Sequence, residues 1–417
     1  MNPTQIQVFK QKALQYAASF EVCSYLDSHH YSDKYGKHDC LIAFGVKEEL
    51  FASVGQAFSA LKIFVEQHQD WMFGLLSYDL KNEVEVLEDP KTDLLNFPDL
   101  YFFVPQYLIS IKDSQISVLK GEQTVVDEIL QLKIAEESLA APVNIKNRLS
   151  KHAYLDKLES IKQHIKRGDV YEMNFCQEFF DDHAEIDPLS VYNKLKAVSP
   201  TPFSGFLKIR DQFVLSATPE RFLAKNGRQL TSQPIKGTAK RSENPTEDHQ
   251  IKTALRNSEK EQAENVMIVD LVRNDLTKSA VKGTVKVDEL FGIYSFPQVH
   301  QMISSISCEL SSNVHFVDAI KNTFPMGSMT GAPKLRAMQL IDQYEVSKRG
   351  VYSGSIGYIS PNGDFDFSVV IRSILYNATN KYLSFQVGGA ITYQSESEKE
   401  YEECLLKASA IMSILKN

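Results

Sequence analysis

Apolar runs with no polar face alternate along this chain with stretches of helical period. Leu41–Gly45, Trp71–Tyr78 and Leu100–Ile111 are apolar at successive positions and rich in aromatics, the pattern of short buried strands. Tyr154, Leu158, Ile161 and Ile165 recur at helical spacing, and Gly168 supplies a stop. Pro202–Ile209 and Gln212–Thr218 flank a hairpin-like break at Arg210-Asp211. Phe222–Lys225 and Gln229–Ser232 flank Asn226-Gly227, a type I′ turn signal. The pattern then predicts helices over 247–256 and 259–275. Strands follow at Gly354–Ile359, Phe365–Leu375 and Tyr382–Val387, with an Asn362-Gly363 turn between the first two, and a last helix starts near Ser397. Hairpins interrupted by helices, without regular βαβ alternation, predict an α+β fold with mainly antiparallel sheets.

No Gly/Ser- or Pro-rich linker and no repeat divides the chain. The weakest seam is the charged stretch Ile134–Lys151. Residues 1–145 are expected to be the N-terminal part of the same layered fold as 146–417, because the runs at 71–78 and 100–111 have too few neighbours to bury themselves alone.

The 417 residues are 43% apolar and 24% charged, ordinary for a soluble enzyme-sized chain. The net charge of −8 argues against a nucleic-acid partner. No run approaches the roughly 18 apolar residues of a membrane span. The N-terminus (MNPTQIQVFKQ) lacks the basic start and apolar core of a secretory signal. Cys23, Cys40, Cys176, Cys308 and Cys404 are scattered, with no CxxC, as expected of reduced thiols in a cytoplasmic protein.

Two segments share one acidic pattern: Ser258 to Glu264 (SEKEQAE) and Ser397 to Glu403 (SEKEYEE). Glu261 and Glu264 lie on one helix face, as do Glu400 and Glu403. If the two helices face each other, four carboxylates converge and repel one another unless a hard cation such as Mg²⁺ sits among them. The same spacing is also a capping box, in which Glu261 and Glu400 only bond their own helix starts. Glu264 and Glu403 lie a turn beyond the caps and are the better ligand candidates.

Lys236, in PIKGT (234–238), stands beside a glycine just after a strand. A turn lysine is ordinarily solvated; buried near apolar surface it loses its proton more easily and becomes a nucleophile. Glu220, in SATPERFL (216–223), is a general acid if buried and a surface partner of Arg221 if not. PMGSMTGAPK (325–334) is a small-residue loop entering a helix over Leu335–Ile341, with Pro333 suited to the first helical position. Free N–H groups there suit a carboxylate, unless the loop is a plain turn. It is no Walker A loop, because Ala-Pro separates Gly331 from Lys334. Arg372, inside the apolar strand pattern SVVIRSIL, needs an anionic partner if it points inward.

Taken together, GDVYEMNFCQ (168–177), SATPERFL, PIKGT, AENVMIVDLVRNDL (263–276), PMGSMTGAPK, YSGSIGYI (352–359), IRS (371–373) and SEKEYEECLLKA (397–408) resemble, in order, the chorismate-utilising enzymes. The resemblance implies a two-layer antiparallel β-sheet core surrounded by helices, anthranilate synthase component I-like, with Mg²⁺ as cofactor and chorismate or isochorismate as substrate. Anthranilate-forming members carry PIAGT; PIKGT is similar to the branch that aminates chorismate at C4, which implies 4-amino-4-deoxychorismate as product, on the way to 4-aminobenzoate and folate. In that chemistry an amine attacks C2 and expels the 4-hydroxyl, and ammonia then attacks C4 and expels the amine. The resemblance implies Lys236 as that amine and Glu220 as the acid. It implies Glu264 and Glu403 as Mg²⁺ ligands, with Glu261 and Glu400 as outer or additional ones. It assigns substrate carboxylates to Thr330, Tyr352, Arg372, Lys407 and the backbone at Gly388-Gly389. A nucleophilic Lys236 is expected to have its pKa depressed from the usual ~10.4 by burial or a nearby cation. A separate glutamine amidotransferase subunit supplying ammonia, and a separate lyase, are implied as well.

The chain departs from the family at three places. Glu172 stands where water-activating members have Lys and aminating members often Gln. Gln301 occupies the position of a His linked to pyruvate loss, with His300 one residue earlier, which weakens an elimination activity. Ala390 interrupts the common GxGI loop. The LLES-type segment of feedback-inhibited anthranilate synthases is not visible near Cys40. The rival readings are anthranilate synthase component I and a non-catalytic chorismate-binding scaffold subunit.

Overall fold

Neighbouring residues of the strand Cys40–Ala52 feed two different cores. Leu41 and Ala43 join one apolar cluster with Leu75, Phe102, Ile356 and Phe367. Cys40, Ile42 and Phe44 join another with Phe9, Tyr154, Phe175 and Ile374. Strand side chains alternate between faces, so both faces of this sheet are covered. That is why its strands read as unbroken apolar runs rather than as an alternation. The first cluster also takes in the helices Ala57–His68, Glu259–Thr277 and Phe316–Thr323; the second lies under Pro3–Ala18, Lys151–Arg167, Pro188–Val198, Lys334–Tyr344 and Ser397–Leu415.

The computed structural model describes residues 1–31, 33–87, 91–135 and 142–416. Among them, 19 strands join in one hydrogen-bonded network. Every strand pairing in it is antiparallel, giving the expected α+β architecture. Val22–Asp27 pairs with Phe203–Ile209, and Met72–Leu76 with Ser355–Ile359, so strands from before residue 145 are paired with strands from after it. Part of the expected seam, 136–141, lies outside the described residues. Among the described residues no helix is long and apolar enough to cross a membrane.

Several elements differ from expectation. The strand predicted over Phe365–Leu375 is two strands, Phe365–Val369 and Ser373–Asn377. The first pairs with Arg221–Asn226 and Ser355–Ile359, the second with Gln212–Thr218, so the chain must change partners between them. Arg372 sits in that break at φ +51°, not on a strand. Tyr382–Thr392 runs past Val387 because Glu172–Asp181 pairs along its length. At the 226–229 hairpin only Gly227 has positive φ, the II′ pattern, with Asn226 still in the ladder. The helices Pro3–Ala18 and Ala57–His68, and the strands Glu172–Asp181 and Lys286–Ser295, were not predicted. The helix Lys151–Arg167 does end at Gly168, at φ +80°.

Candidate active site

Four strands bring the site together. Glu172–Asp181 lies between Tyr382–Thr392 and the short strand Gly331–Ala332, with Glu172 opposite both Thr392 and Ala332. Ile235–Lys240 pairs with Val299–Glu309, and its register shifts between Ile235 and Thr238. Lys236 and Gly237 occupy that irregularity, so Lys236 stands on a strand bulge rather than on a turn. Gly237 is required there: its φ is +92°, and a Cβ would lie 3.0 Å from Glu261 Oε2.

Lys236 Nζ donates to Glu172 Oε1 at 2.6 Å, and the two side chains are only 10% and 1% exposed. The second oxygen of Glu172 is buried and has no partner among the described residues. Burial pulls the lysine down, but Glu172, with Glu264 and Glu220 behind it, outweighs that and raises its pKa above the ordinary value. This corrects the expectation of a depressed lysine: three carboxylates surround the ammonium, and the one in contact is the departure at position 172.

Glu220 is 4% exposed, and Arg221 does not pair with it; that guanidinium goes to Asp366 and Asp33. Burial pushes the Glu220 carboxyl up to about 7, although Ser328, Lys236 and Arg372 favour its charged form. Ser328 Oγ donates to Glu220 Oε1 at 2.5 Å. Ser328 was not singled out from sequence; its place in PMGSMTGAPK was the only signal. The half-buried Arg372 guanidinium has no hydrogen bond or ion pair among the described residues; burial lowers its pKa and Glu220 opposes the shift.

The other expected carboxylate grips are already engaged. Thr330 is fully buried and its hydroxyl donates to Met326 O and Gly327 O, at 3.2 and 3.1 Å, inside its own loop. The Tyr352 hydroxyl lies 3.4 Å from Cys176 Sγ in the core. Lys407 Nζ donates to Gly388 O at 3.1 Å and pairs with Glu403 at 2.7 Å. At Gly388 a Cβ would lie 2.3 Å from Phe175 O, so the strands close there; at Gly389 it would face Glu400 Oε2 at 3.4 Å. Pro333 is the cap residue, not the first residue, of the helix Lys334–Tyr344. Gln301, opposite Thr238, is buried with its amide oxygen unpartnered among the described residues, while His300 is bound to Asp248 and Ser295.

The two acidic helix starts are not equivalent. Ser258 caps the helix Glu259–Thr277 by accepting from the Glu261 N–H. Ser397 is itself the first residue of its helix, so it cannot cap it, and its hydroxyl donates to Glu159. The two starts do meet through Lys260, which lies 3.9 Å from Glu264 and whose charge also bears on Glu400 and Glu403. Burial pushes Glu264 up to about 7, opposed by Lys236 and reinforced by Glu172 and Glu261. Burial, then Glu403, raises Glu400. Burial also pushes Glu403 up, but Lys407 outweighs it and holds that carboxyl below its ordinary value. Among the described residues no three acidic, His or Cys side chains close to metal-holding geometry. The expected convergence of four carboxylates is therefore incomplete, with the ammonium groups of Lys260 and Lys407 placed among them. The donor chemistry still fits Mg²⁺: hard carboxylate oxygens, two of them driven towards protonation by burial and by their own neighbours.

A buried carboxyl near neutrality, a largely buried lysine and a guanidinium unpaired among the described residues thus lie within electrostatic reach of one another, with the start of the helix Glu259–Thr277 beside the lysine. The chain belongs to the chorismate binding enzyme family, whose model matches residues 23–413. It is 35% identical over 354 residues to aminodeoxychorismate synthase component 1 of Salmonella typhimurium, covering 84% of this chain and 77% of that one. Its identity to aminodeoxychorismate synthase component 1 of Escherichia coli is 33% over 353 residues, covering 83% and 77%. Anthranilate synthase component I from Streptococcus pneumoniae TIGR4 superposes with a TM-score of 0.80 at 26% identity, over 92% of this chain and 94% of that one.

Proposed function

We propose that this chain aminates chorismate with ammonia to give 4-amino-4-deoxychorismate. The observation that carries the reading is Glu220: a carboxyl pushed to about 7, near both Lys236 and Arg372. Half protonated at neutral pH, it can give a proton to the departing 4-hydroxyl and later take one from the incoming amine. Arg372 receives a substrate carboxylate and so orients the ring. Lys236 attacks C2 while Glu220 protonates the hydroxyl leaving C4. Ammonia then attacks C4 and the C2–N bond breaks, freeing Lys236. Glu264 and Glu403, with Glu261 and Glu400, would hold Mg²⁺; when bound it neutralises the ring carboxylate and stabilises negative charge beside it. Lys407 and Lys260 must then exchange their present carboxylate contacts. Gln301 offers no imidazole for a pyruvate elimination, which supports stopping at the aminated product.

Ammonia is proposed to come from a separate glutamine amidotransferase subunit, in keeping with relatives named as component 1, and the reaction to take place in the cytoplasm. The test is product analysis with chorismate, Mg²⁺ and ammonium, with and without added aminodeoxychorismate lyase. The expected product becomes 4-aminobenzoate only when the lyase is present. Fluorescent anthranilate formed without lyase would overturn the reading.

A further inference from the structure

We propose that Glu172 is the base that takes the proton from Lys236 as the lysine attacks the ring. The inference rests on the reading of Lys236 as nucleophile, and it concerns a side chain to which that reading assigns no role. Glu172 Oε1 is the one carboxylate oxygen in hydrogen-bond contact with Lys236 Nζ among the described residues, at 2.6 Å. The groups facing the pair from the surrounding elements are Glu220, Glu264 and Glu403, and Arg372 bears on it only through Glu220. All three carboxylates favour the ammonium, so the resting lysine has no free electron pair and must pass a proton to something within reach. Solvent touches only the lysine, whose side chain is 10% exposed, and not the carboxylate, which is 1% exposed. Glu172 is in reach, and it is fixed by strands on both sides, opposite Thr392 and Ala332. Its Oε2 is buried and unpartnered among the described residues, so one half of its charge is unsolvated and no bond breaks when the carboxylate is neutralised.

The step balances. The Lys236 ammonium gives a proton to the Glu172 carboxylate, leaving an amine and a carboxylic acid. The Nζ electron pair forms the N–C2 bond, the ring π electrons move towards C4, and the C4–O bond breaks. The hydroxide takes the Glu220 proton and leaves as water. When ammonia attacks C4, the electrons return, the C2–N bond breaks and Lys236 departs as an amine. Glu172 gives its proton back to that amine, and Glu220 takes one from the new C4 ammonium. The sum is chorismate plus ammonia to aminodeoxychorismate plus water. A glutamine at 172 can accept a hydrogen bond from Nζ but cannot receive the proton.

The test is Glu172→Gln in the full chain, with chorismate and Mg²⁺ but no ammonia, following the covalent adduct on Lys236 by rapid quench and mass spectrometry. Wild-type adduct formation should follow the ionisation of Glu220 alone, level from about pH 6 to 7 and falling above, because the lysine's proton moves internally. In Glu172→Gln it should fall about 100-fold at pH 7, and the deficit relative to wild type should shrink as pH rises, with chorismate binding unchanged. Glu172→Asp keeps a proton acceptor and should keep the wild-type profile. Adduct formation in Glu172→Gln as fast as wild type at pH 7 would overturn the inference while leaving the covalent route standing. A wild type that forms no adduct, together with an active Lys236→Ala, would overturn the covalent reading itself.

Discussion

Glu220 offers a prediction that reads the site through stability and rate together. Its carboxyl ionises near 4.5 in the unfolded chain and at about 7 in the fold, chiefly because burial disfavours the charge. The folded protein therefore binds more protons than the unfolded one between these two values. Stability contributed by Glu220 is full below about 4.5 and is lost as pH rises through about 7. A tenfold change in an ionisation constant corresponds to ~1.4 kcal/mol, so the charged Glu220 costs the native state about 3 kcal/mol at pH 8. Glu220→Gln keeps the shape, removes the charge and leaves a partner for Ser328. It should be the more stable protein at pH 8, by up to that ~3 kcal/mol, with the advantage shrinking steadily towards pH 5. Its turnover should fall by about 10²–10⁴, the usual contribution of a positioned acid. The assay pairs denaturant unfolding of both proteins from pH 5 to 8 with their rates of aminodeoxychorismate formation. The wild-type rate should fall above pH 7, and Ser328→Ala should move that limb upward, because the lost hydrogen bond favoured the carboxylate. A stability difference that stays constant from pH 5 to 8 would show that Glu220 is not held near neutrality, and the general-acid argument would fail with it.

The remaining predictions concern the lysine, the cation and the division of the chain. Lys236→Ala should bind chorismate but lose most product formation, and Lys236→Arg should not restore it, because guanidinium keeps its proton; normal turnover of the alanine variant with ammonia would exclude the covalent route. Glu264→Ala or Glu403→Ala should abolish Mg²⁺-dependent activity with the fold intact, checked by Mg²⁺ titration and circular dichroism. Persistence of activity in chelator would count against the carboxylate site. Losing Glu264, whose charge burial disfavours, should also stabilise the metal-free protein at pH 8. A 1–145 fragment should fail to fold alone, since Val22–Asp27 and Met72–Leu76 would each lose a pairing strand; a cooperative unfolding transition from the isolated fragment is the contrary result.

How much of this was readable in the sequence follows the range of the forces involved. The hairpin at Arg210, the helix closed by Gly168 and the cap at Ser258 are local, and local signals located them. The split at Arg372 was not readable from SVVIRSIL, because it is set by two different partner strands far away in the chain. The repeated SEKExxE looked like two equal caps; one residue of displacement put Ser397 inside its helix and sent its hydroxyl to Glu159. Residue types at 220 and 236 pointed to the chemistry, yet their protonation could not be read with them. Glu220 and Lys236 are both buried, and burial disfavours charge in each. In Glu220 burial prevails, because its helpers are a hydroxyl, a backbone N–H and two cations that do not contact it closely. In Lys236 it is overruled by one carboxylate at 2.6 Å. That carboxylate stands 64 residues earlier, on Glu172–Asp181, and no local pattern joins it to Ile235–Lys240. On the proposed covalent route, an amine that must be neutral to react is thus kept charged by the group best placed to relieve it of its proton, and positions 172 and 236 together set when the nucleophile exists.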